Sequence, residues 1–229
     1  MTTRAPRAVS TPRFKTVIFD VDSTLAAIEG IDWLAAQRDE QIAYTCAALT
    51  AQAMAGEIPL EAVYARRLAT IRPTAAELIG LAVAYRAAIE PGAADLIAAL
   101  RAAHCQVHLL SGGLRSAIVP LALQLGVSTD HVHAVSVTTD TDGTLSLLDG
   151  DQPLATQQGK PAVVHKLALR GPIAMIGDGS TDAAVRGVVH TFIAYTGVTR
   201  REQVVAVADA EADSFRALHT LLFEQADPS

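Results

Sequence analysis

The spacing of apolar residues changes along this chain, and each change marks a boundary. Val17-Ile18-Phe19 is a short run of β-branched and aromatic residues, the pattern of a buried parallel strand. It stops abruptly at Asp20-Val21-Asp22-Ser23-Thr24. From Leu25 the spacing becomes helical: Ile28, Ile31, Leu34 and Ala35 share a face. Ala43 to Met54 continues as an alanine-rich helix stopped by Gly56 and Pro59, and Leu60 to Thr70 reads as another. Thr74-Ala75-Ala76-Glu77 has the form of a capping box before a helix through about Ala88. Residues 26–89 show no strand pattern and read as a small helical bundle inserted after the first strand, a cap over its end.

From Pro91 helices and strands alternate, which predicts a doubly wound parallel sheet. A helix runs to about His104, a strand covers Gln106 to Leu110, and Ser111-Gly112-Gly113 reads as a turn before a helix from Leu114 to Leu125. Val132 to Thr138 and Thr144 to Leu148 read as a hairpin joined through Asp140-Thr141-Asp142-Gly143. Lys160-Pro161 opens a helix, with proline at a favoured first-turn position. Ile173 to Ile176 is a buried strand running into Gly177-Asp178-Gly179-Ser180-Thr181-Asp182, Thr191 to Tyr195 is another strand, and Asp213 to Glu224 a last helix. The expected architecture is α/β: a Rossmann-like, three-layer parallel-sheet core over residues 14–25 and 90–229, with the helical cap over 26–89.

Composition narrows this picture only a little. Half of the 229 residues are apolar and 18% charged, which is a globular balance, and the 4% aromatic content favours closely packed helices. The net charge of −6 and the absence of a basic run argue against nucleic acid as a partner. No apolar run reaches membrane-spanning length. Cys46 and Cys105 are far apart and suit a reducing cytosol better than a disulfide framework, so a cytoplasmic protein is expected. Residues 1–13 carry Arg4, Arg7 and Arg13 without an acid. They read as a disordered leader, with a faint likeness to a transit peptide.

Candidate chemistry gathers at strand ends. Asp20, Ser111 and Asp178 each stand where a predicted strand stops, and Lys160 stands at a helix start. In an open parallel sheet those ends share one edge, where ligands bind. Alternation points Asp20 and Asp22 the same way if the strand stays regular, and paired carboxylates need a cation, a proton or water. Mg²⁺ and a phosphate ester suit that need. Taken singly, each motif is plainer: a turn or cap at Asp20–Thr24, a turn at Ser111-Gly-Gly, a solvated lysine at 160. Their convergence is the specific signal. His104, Cys105, His108, His131 and His133 carry no further ligand pattern and read as ordinary histidines and a small buried thiol.

Asp20-Val-Asp-Ser-Thr, Ser111-Gly-Gly, Lys160 and Gly177-Asp-Gly-Ser-Thr-Asp182, in this order, resemble the four motifs of the haloacid dehalogenase superfamily. Glu29-Gly30-Ile31-Asp32, Met54-Ala55-Gly56, Arg66-Arg67 and Ser111-Gly-Gly-Leu-Arg115 are similar to its phosphoserine phosphatase branch, over nearly everything after Arg13. The resemblance implies a phosphomonoester hydrolase with Asp20 as nucleophile, forming an aspartyl-phosphate, and Asp22 as general acid and base. It implies Mg²⁺ held by Asp20, Asp178 and the Asp22 carbonyl, with Asp182 supporting the ion or capping the following helix. Ser111, Gly112 and Lys160 would take the phosphate. Glu29, Arg67, Met54 and Thr181 would contact the substrate, Glu29 an ammonium and Arg67 a carboxylate, as O-phosphoserine offers. Leu60, Trp33 and the missing Asn-Arg pair near Val135 depart from the family pattern but leave the four motifs intact. Another small phosphate ester, a hydroxyl acceptor in place of water, and a non-catalytic phospho-ligand binding protein remain as alternative readings.

Overall fold

The computed structural model of the chain describes residues 11–54, 58, 60–147 and 151–224, and the side chains of all of these except 50–54, 60 and 61. The chain enters through β1 (Thr16–Phe19) and then runs through α1 (Gly30–Ala35), α2 (Glu40–Met54), α3 (Leu60–Ile71) and α4 (Ala75–Ala87). There follow α5 (Ala93–Ala102), β2 (Gln106–Leu114), α6 (Arg115–Gln124), β3 (Val132–Val135), β4 (Val137–Thr139) and β5 (Leu145–Leu147). The last part holds α7 (Gly159–Leu167), β6 (Ile173–Gly177), α8 (Ser180–Ala183), β7 (Thr191–Tyr195), α9 (Glu202–Val205), β8 (Ala210–Ala212) and α10 (Phe215–Leu222).

Among the described residues six strands form one parallel sheet in the order β3-β2-β1-β6-β7-β8. β1 lies inside it, paired with β2 on one side and β6 on the other, so both of its edges are hydrogen-bonded. Val17 and Phe19 enter one apolar cluster with Leu96, Leu100, Ile118 and Phe215, while Ile18 enters another with Val164, Met175 and Phe192. Alternate residues thus meet helices on opposite faces, the three-layer arrangement that a continuous apolar strand requires. Each large side chain so buried contributes about 1.5–3 kcal/mol.

Two strand boundaries differ from the sequence reading. β2 continues through Ser111-Gly112-Gly113 to Leu114 instead of turning, and its register with β3 shifts between Leu110 and Leu114. Glycine is needed inside this strand because a Cβ on Gly113 would lie 2.9 Å from Asp22 Oδ2. The expected strand Val132–Thr138 is two strands. β3 joins the parallel sheet, whereas β4 pairs antiparallel with β5. The break falls at Ser136, whose backbone N–H donates to Gln152 Oε1 at 3.1 Å.

Helices α1 to α4 form the segment between β1 and α5. The Thr74–Glu77 capping box is present: Thr74 N–H donates to Glu77 Oε2 at 2.8 Å and Glu77 N–H to Thr74 Oγ1 at 3.4 Å. Arg38 binds the same carboxylate, Nη2 to Oε2 at 2.7 Å, and with the cap it pulls Glu77 down to about 2. The two crossings between this segment and the sheet are fastened together. Ala27 N–H donates to the Ala88 carbonyl and Glu90 N–H to the Leu25 carbonyl, both at 2.9 Å.

Of the expected leader, residues 1–10 lie outside the described residues. Thr11–Arg13 pair with the other end of the chain: Arg13 N–H donates to Leu222 O and Glu224 N–H to Thr11 O, both at 2.9 Å. Met54 is placed in α2, but its side chain, with Ala55 and Gly56, lies outside the described residues. No helix among the described residues is long and apolar enough to cross a membrane.

Candidate active site

The carboxyl ends of β1, β2 and β6 open on one pocket of about 370 Å³. It is lined by Asp20, Asp22, Glu29, Arg67, Gly112, Lys160, Asp178, Thr181 and Asp182. Sheet topology brings these residues together across more than a hundred positions of sequence, because parallel neighbours present the same ends. Asp20 follows β1 with its backbone N–H still bonded to the Ile176 carbonyl at 2.9 Å, so its direction is set by the sheet.

Lys160 rises from the first turn of α7 into the floor of the pocket. Its Nζ donates to Asp20 Oδ1 at 2.7 Å and to Asp182 Oδ1 at 2.5 Å, and all three residues are less than 7% exposed. Burial works against the lysine charge, yet the carboxylates of Asp182 and Asp20 outweigh it and hold the ammonium above its ordinary range. Asp20 is pushed well up by burial and by Asp182, with Lys160 only partly opposing them. The floor therefore carries more negative charge than its lysine cancels. Asp182 also accepts the Gly179 N–H on Oδ2 at 2.9 Å, so both its oxygens are engaged: it caps α8 and orients Lys160. Gly177 makes room for it, since a Cβ there would lie 2.2 Å from Asp182 Cγ.

Ligand oxygens of Asp20, Asp178 and Asp182 lie within 4.8 Å of one another and can hold a metal ion. The donor set fits a hard divalent cation: oxygen ligands only, buried and under-compensated. Asp178 is held by Thr24 Oγ1 at 3.2 Å and by an ion pair with Arg201.

Asp22 stands over the opposite wall. Its Oδ1 accepts Gly30 N–H at 2.6 Å and the Tyr85 hydroxyl at 2.7 Å, and its Oδ2 faces Ser111 Oγ at 3.2 Å. Burial raises its proton affinity, and the donors from Tyr85, Gly30 and Ser111 counter only part of the rise. A carboxyl with accessible proton exchange at the pocket wall suits acid–base work. Ser111, fully buried, receives Gly113 N–H at 2.9 Å and gives its own proton to Asp22 Oδ2.

The outer half of the pocket is less enclosed. Glu29 accepts Ser23 Oγ at 2.7 Å and lies 3.8 Å from Arg201, and burial together with Asp22 raises its proton affinity. Arg67 pairs with Asp32, while its Nε is buried without a partner, as is the hydroxyl of Tyr64 beside it in the pocket lining. Arg66 is exposed.

A haloacid dehalogenase-like hydrolase family model matches residues 17–185, from β1 through the Asp178–Asp182 turn. The chain belongs to the haloacid dehalogenase-like hydrolase family. It is 35% identical over 207 residues to the chloroplastic phosphoserine phosphatase of Arabidopsis thaliana, covering 88% of this chain and 70% of that one. It is 34% identical to the phosphoserine phosphatase of Bos taurus, covering 82% and 84%. Among solved structures, a phosphoserine phosphohydrolase-like protein of Francisella tularensis superposes with a TM-score of 0.80 at 26% identity, covering 90% of this chain and 99% of the other.

Within this hydrolase the sequence reading missed Arg201, Tyr64 and Tyr85. Arg201 had a usable signal, because it follows β7, the next parallel strand, at the edge that exposed Asp178. The tyrosines had none: at helical spacing a buried tyrosine looks like any core residue.

Proposed function

We propose that this hydrolase is a Mg²⁺-dependent phosphomonoesterase acting through an aspartyl-phosphate on Asp20, with O-phosphoserine as substrate and serine and phosphate as products. The observation that carries it is the Asp20–Lys160 pair at 2.7 Å, buried in the same pocket as Asp22, with Glu29 and Arg67 on its outer wall. The relatives named phosphoserine phosphatase support the choice of substrate.

In this reading Asp20, Asp178 and the Asp22 carbonyl hold Mg²⁺, with Asp182 behind them. When bound, the ion supplies positive charge that offsets repulsion between a carboxylate nucleophile and an anionic phosphate. Lys160 adds a fixed cation, and Ser111 and the Gly112 N–H receive phosphate oxygens at preset positions. Asp20 attacks phosphorus while Asp22 gives its proton to the departing ester oxygen. Asp22 then takes a proton from the water that releases phosphate. The unpartnered Nε of Arg67 is a buried donor that lacks an acceptor, which a substrate carboxylate would supply. Glu29 would meet the ammonium, and Thr181 would complete the wall.

The test is phosphate release from phosphoserine, phosphothreonine, phosphoethanolamine and an aryl phosphate, with Mg²⁺ and with chelator. Mg²⁺-dependent release that favours phosphoserine is expected. Release from other esters with phosphoserine ignored would discard the Glu29 and Arg67 roles. No release from any ester would discard the hydrolase mechanism.

A further inference from the structure

Tyr85 is fully buried, and its hydroxyl ends 2.7 Å from Asp22 Oδ1, the oxygen that also accepts Gly30 N–H at 2.6 Å. The space for that hydroxyl is made by two glycines from different parts of the chain. A Cβ on Gly30 would lie 2.1 Å from Tyr85 Oη, and a Cβ on Gly113 would lie 3.0 Å from it. The position of the ring is fixed from behind. Tyr85 lies in the last turn of α4, and just beyond it the Ala27–Ala88 and Leu25–Glu90 backbone bonds fasten this helix to the segment that carries Asp22. Tyrosine and aspartate therefore belong to one rigid clasp, although they are sixty-three positions apart.

We propose that Tyr85 is a positioning residue for Asp22: with Gly30 N–H it anchors Oδ1 and so makes Oδ2 the oxygen that exchanges the proton with substrate. This rests on the reading of Asp22 as general acid. A carboxyl has two chemically equal oxygens, and an unanchored one divides its time between orientations. Two donors on Oδ1 remove that freedom and hold Oδ2 against Ser111 Oγ and Gly113, the latter part of the pocket lining. In the first step the proton on Oδ2 passes to the ester oxygen as its bond to phosphorus breaks and the bond from Asp20 to phosphorus forms. Asp22 is left as a carboxylate, which Tyr85 and Gly30 stabilise at Oδ1. In the second step Oδ2 takes the proton of the attacking water as phosphate leaves Asp20. Tyr85 itself keeps its proton throughout; burial and the neighbouring Asp22 carboxylate hold the phenol well above its ordinary range.

The test compares single-turnover release of the leaving group from an alkyl phosphate, phosphoserine, and from p-nitrophenyl phosphate, in the Mg²⁺-loaded full chain. An alkoxide needs the proton from Asp22, whereas p-nitrophenolate departs with little help. Tyr85→Phe removes the hydroxyl and keeps the ring. It should slow release from phosphoserine about tenfold or more, with a loss of no more than about threefold on the aryl ester and KM for phosphoserine within about twofold. The ratio of the two rates does not depend on how much of the variant is folded, so reduced stability cannot imitate this result. Asp22→Asn serves as the reference and should show the same leaving-group dependence more strongly. If Asp22→Asn slows both esters equally, the general-acid reading of Asp22 fails. If Asp22→Asn discriminates between the esters and Tyr85→Phe does not, Asp22 stands and the role of Tyr85 is overturned.

Discussion

The two ends of the pocket treat charge differently. At the sheet end Asp20, Lys160, Asp178 and Asp182 are each no more than 6% exposed, and Lys160 meets Asp20 and Asp182 at hydrogen-bond distance. At the helical end Glu29 and Asp32 have side chains 45% and 65% exposed, and Arg67 is bound to a partner that water also reaches. A buried ion that loses its partner costs several kcal/mol, whereas an exposed pair contributes about 1 kcal/mol or less. The sheet end is thus preset and intolerant, while the helical end, where the proposed function puts substrate selection, can exchange Asp32 or water for another charged group at little cost. In the proposed reading, chemistry and selection are separated by burial.

The sharpest break would come from Asp20→Asn. Phosphate release should fall by more than about a thousandfold, because a neutral amide replaces the proposed carboxylate nucleophile. Unchanged turnover, measured with phosphoserine and with an aryl phosphate, would end the proposed mechanism. Lys160→Met reads the preset end as stability. It leaves Asp20 and Asp182 buried without their cation, and should lower unfolding free energy by about 3 kcal/mol near neutral pH. Since Asp20, pushed up by burial, can then neutralise itself by taking a proton, the deficit should narrow on acidification. Urea midpoints at pH 7.5 and 5 test this, and a deficit independent of pH would show that Lys160 is not the counter-ion. Arg67→Ala reads the selecting end. Its kcat/KM should fall about thirtyfold for phosphoserine and only a few-fold for the aryl ester, and equal losses would remove Arg67 from recognition of the substrate.

The difference in burial also explains what could be read from sequence. β1 and β6 are continuous apolar runs that stop at carboxylates, so strand, edge and chemistry are written together in Val17–Asp22 and Ile173–Asp182. The capping box at Thr74 was equally plain, since it depends only on neighbours three positions apart. The limits of β2 and β3 were not. They depend on contacts with Asp22 and Gln152 made by folding, which local pattern cannot contain. Tyr85 is the extreme case: its hydroxyl acts at Asp22, but its ring satisfies the helix as any core residue would.

A third buried group shows that burial alone does not call for charge. His108 of β2 is 4% exposed, stacks on His131 with ring centroids 4.1 Å apart, and meets His133 Nε2 with its Nδ1 at 3.1 Å. Burial, His131 and His133 hold it down to about 3 from an ordinary 6.5, and His133 is itself lowered by burial, His131 and Arg115. The native state keeps the His108 ring neutral, so between those values the unfolded chain binds more protons than the folded one. Stability from this group is complete above about pH 6.5 and is lost as pH falls toward 3. His108→Leu removes the titrating ring while keeping an apolar side chain. Between pH 7.5 and 5 the unmodified protein should therefore lose about 1 kcal/mol more than the variant, read from urea unfolding at each pH. Parallel pH profiles would mean that His108 takes up its proton alike in the folded and the unfolded chain. In that case the contrast between a charged floor at Lys160 and a neutral wall at His108, both within one sheet, would not hold.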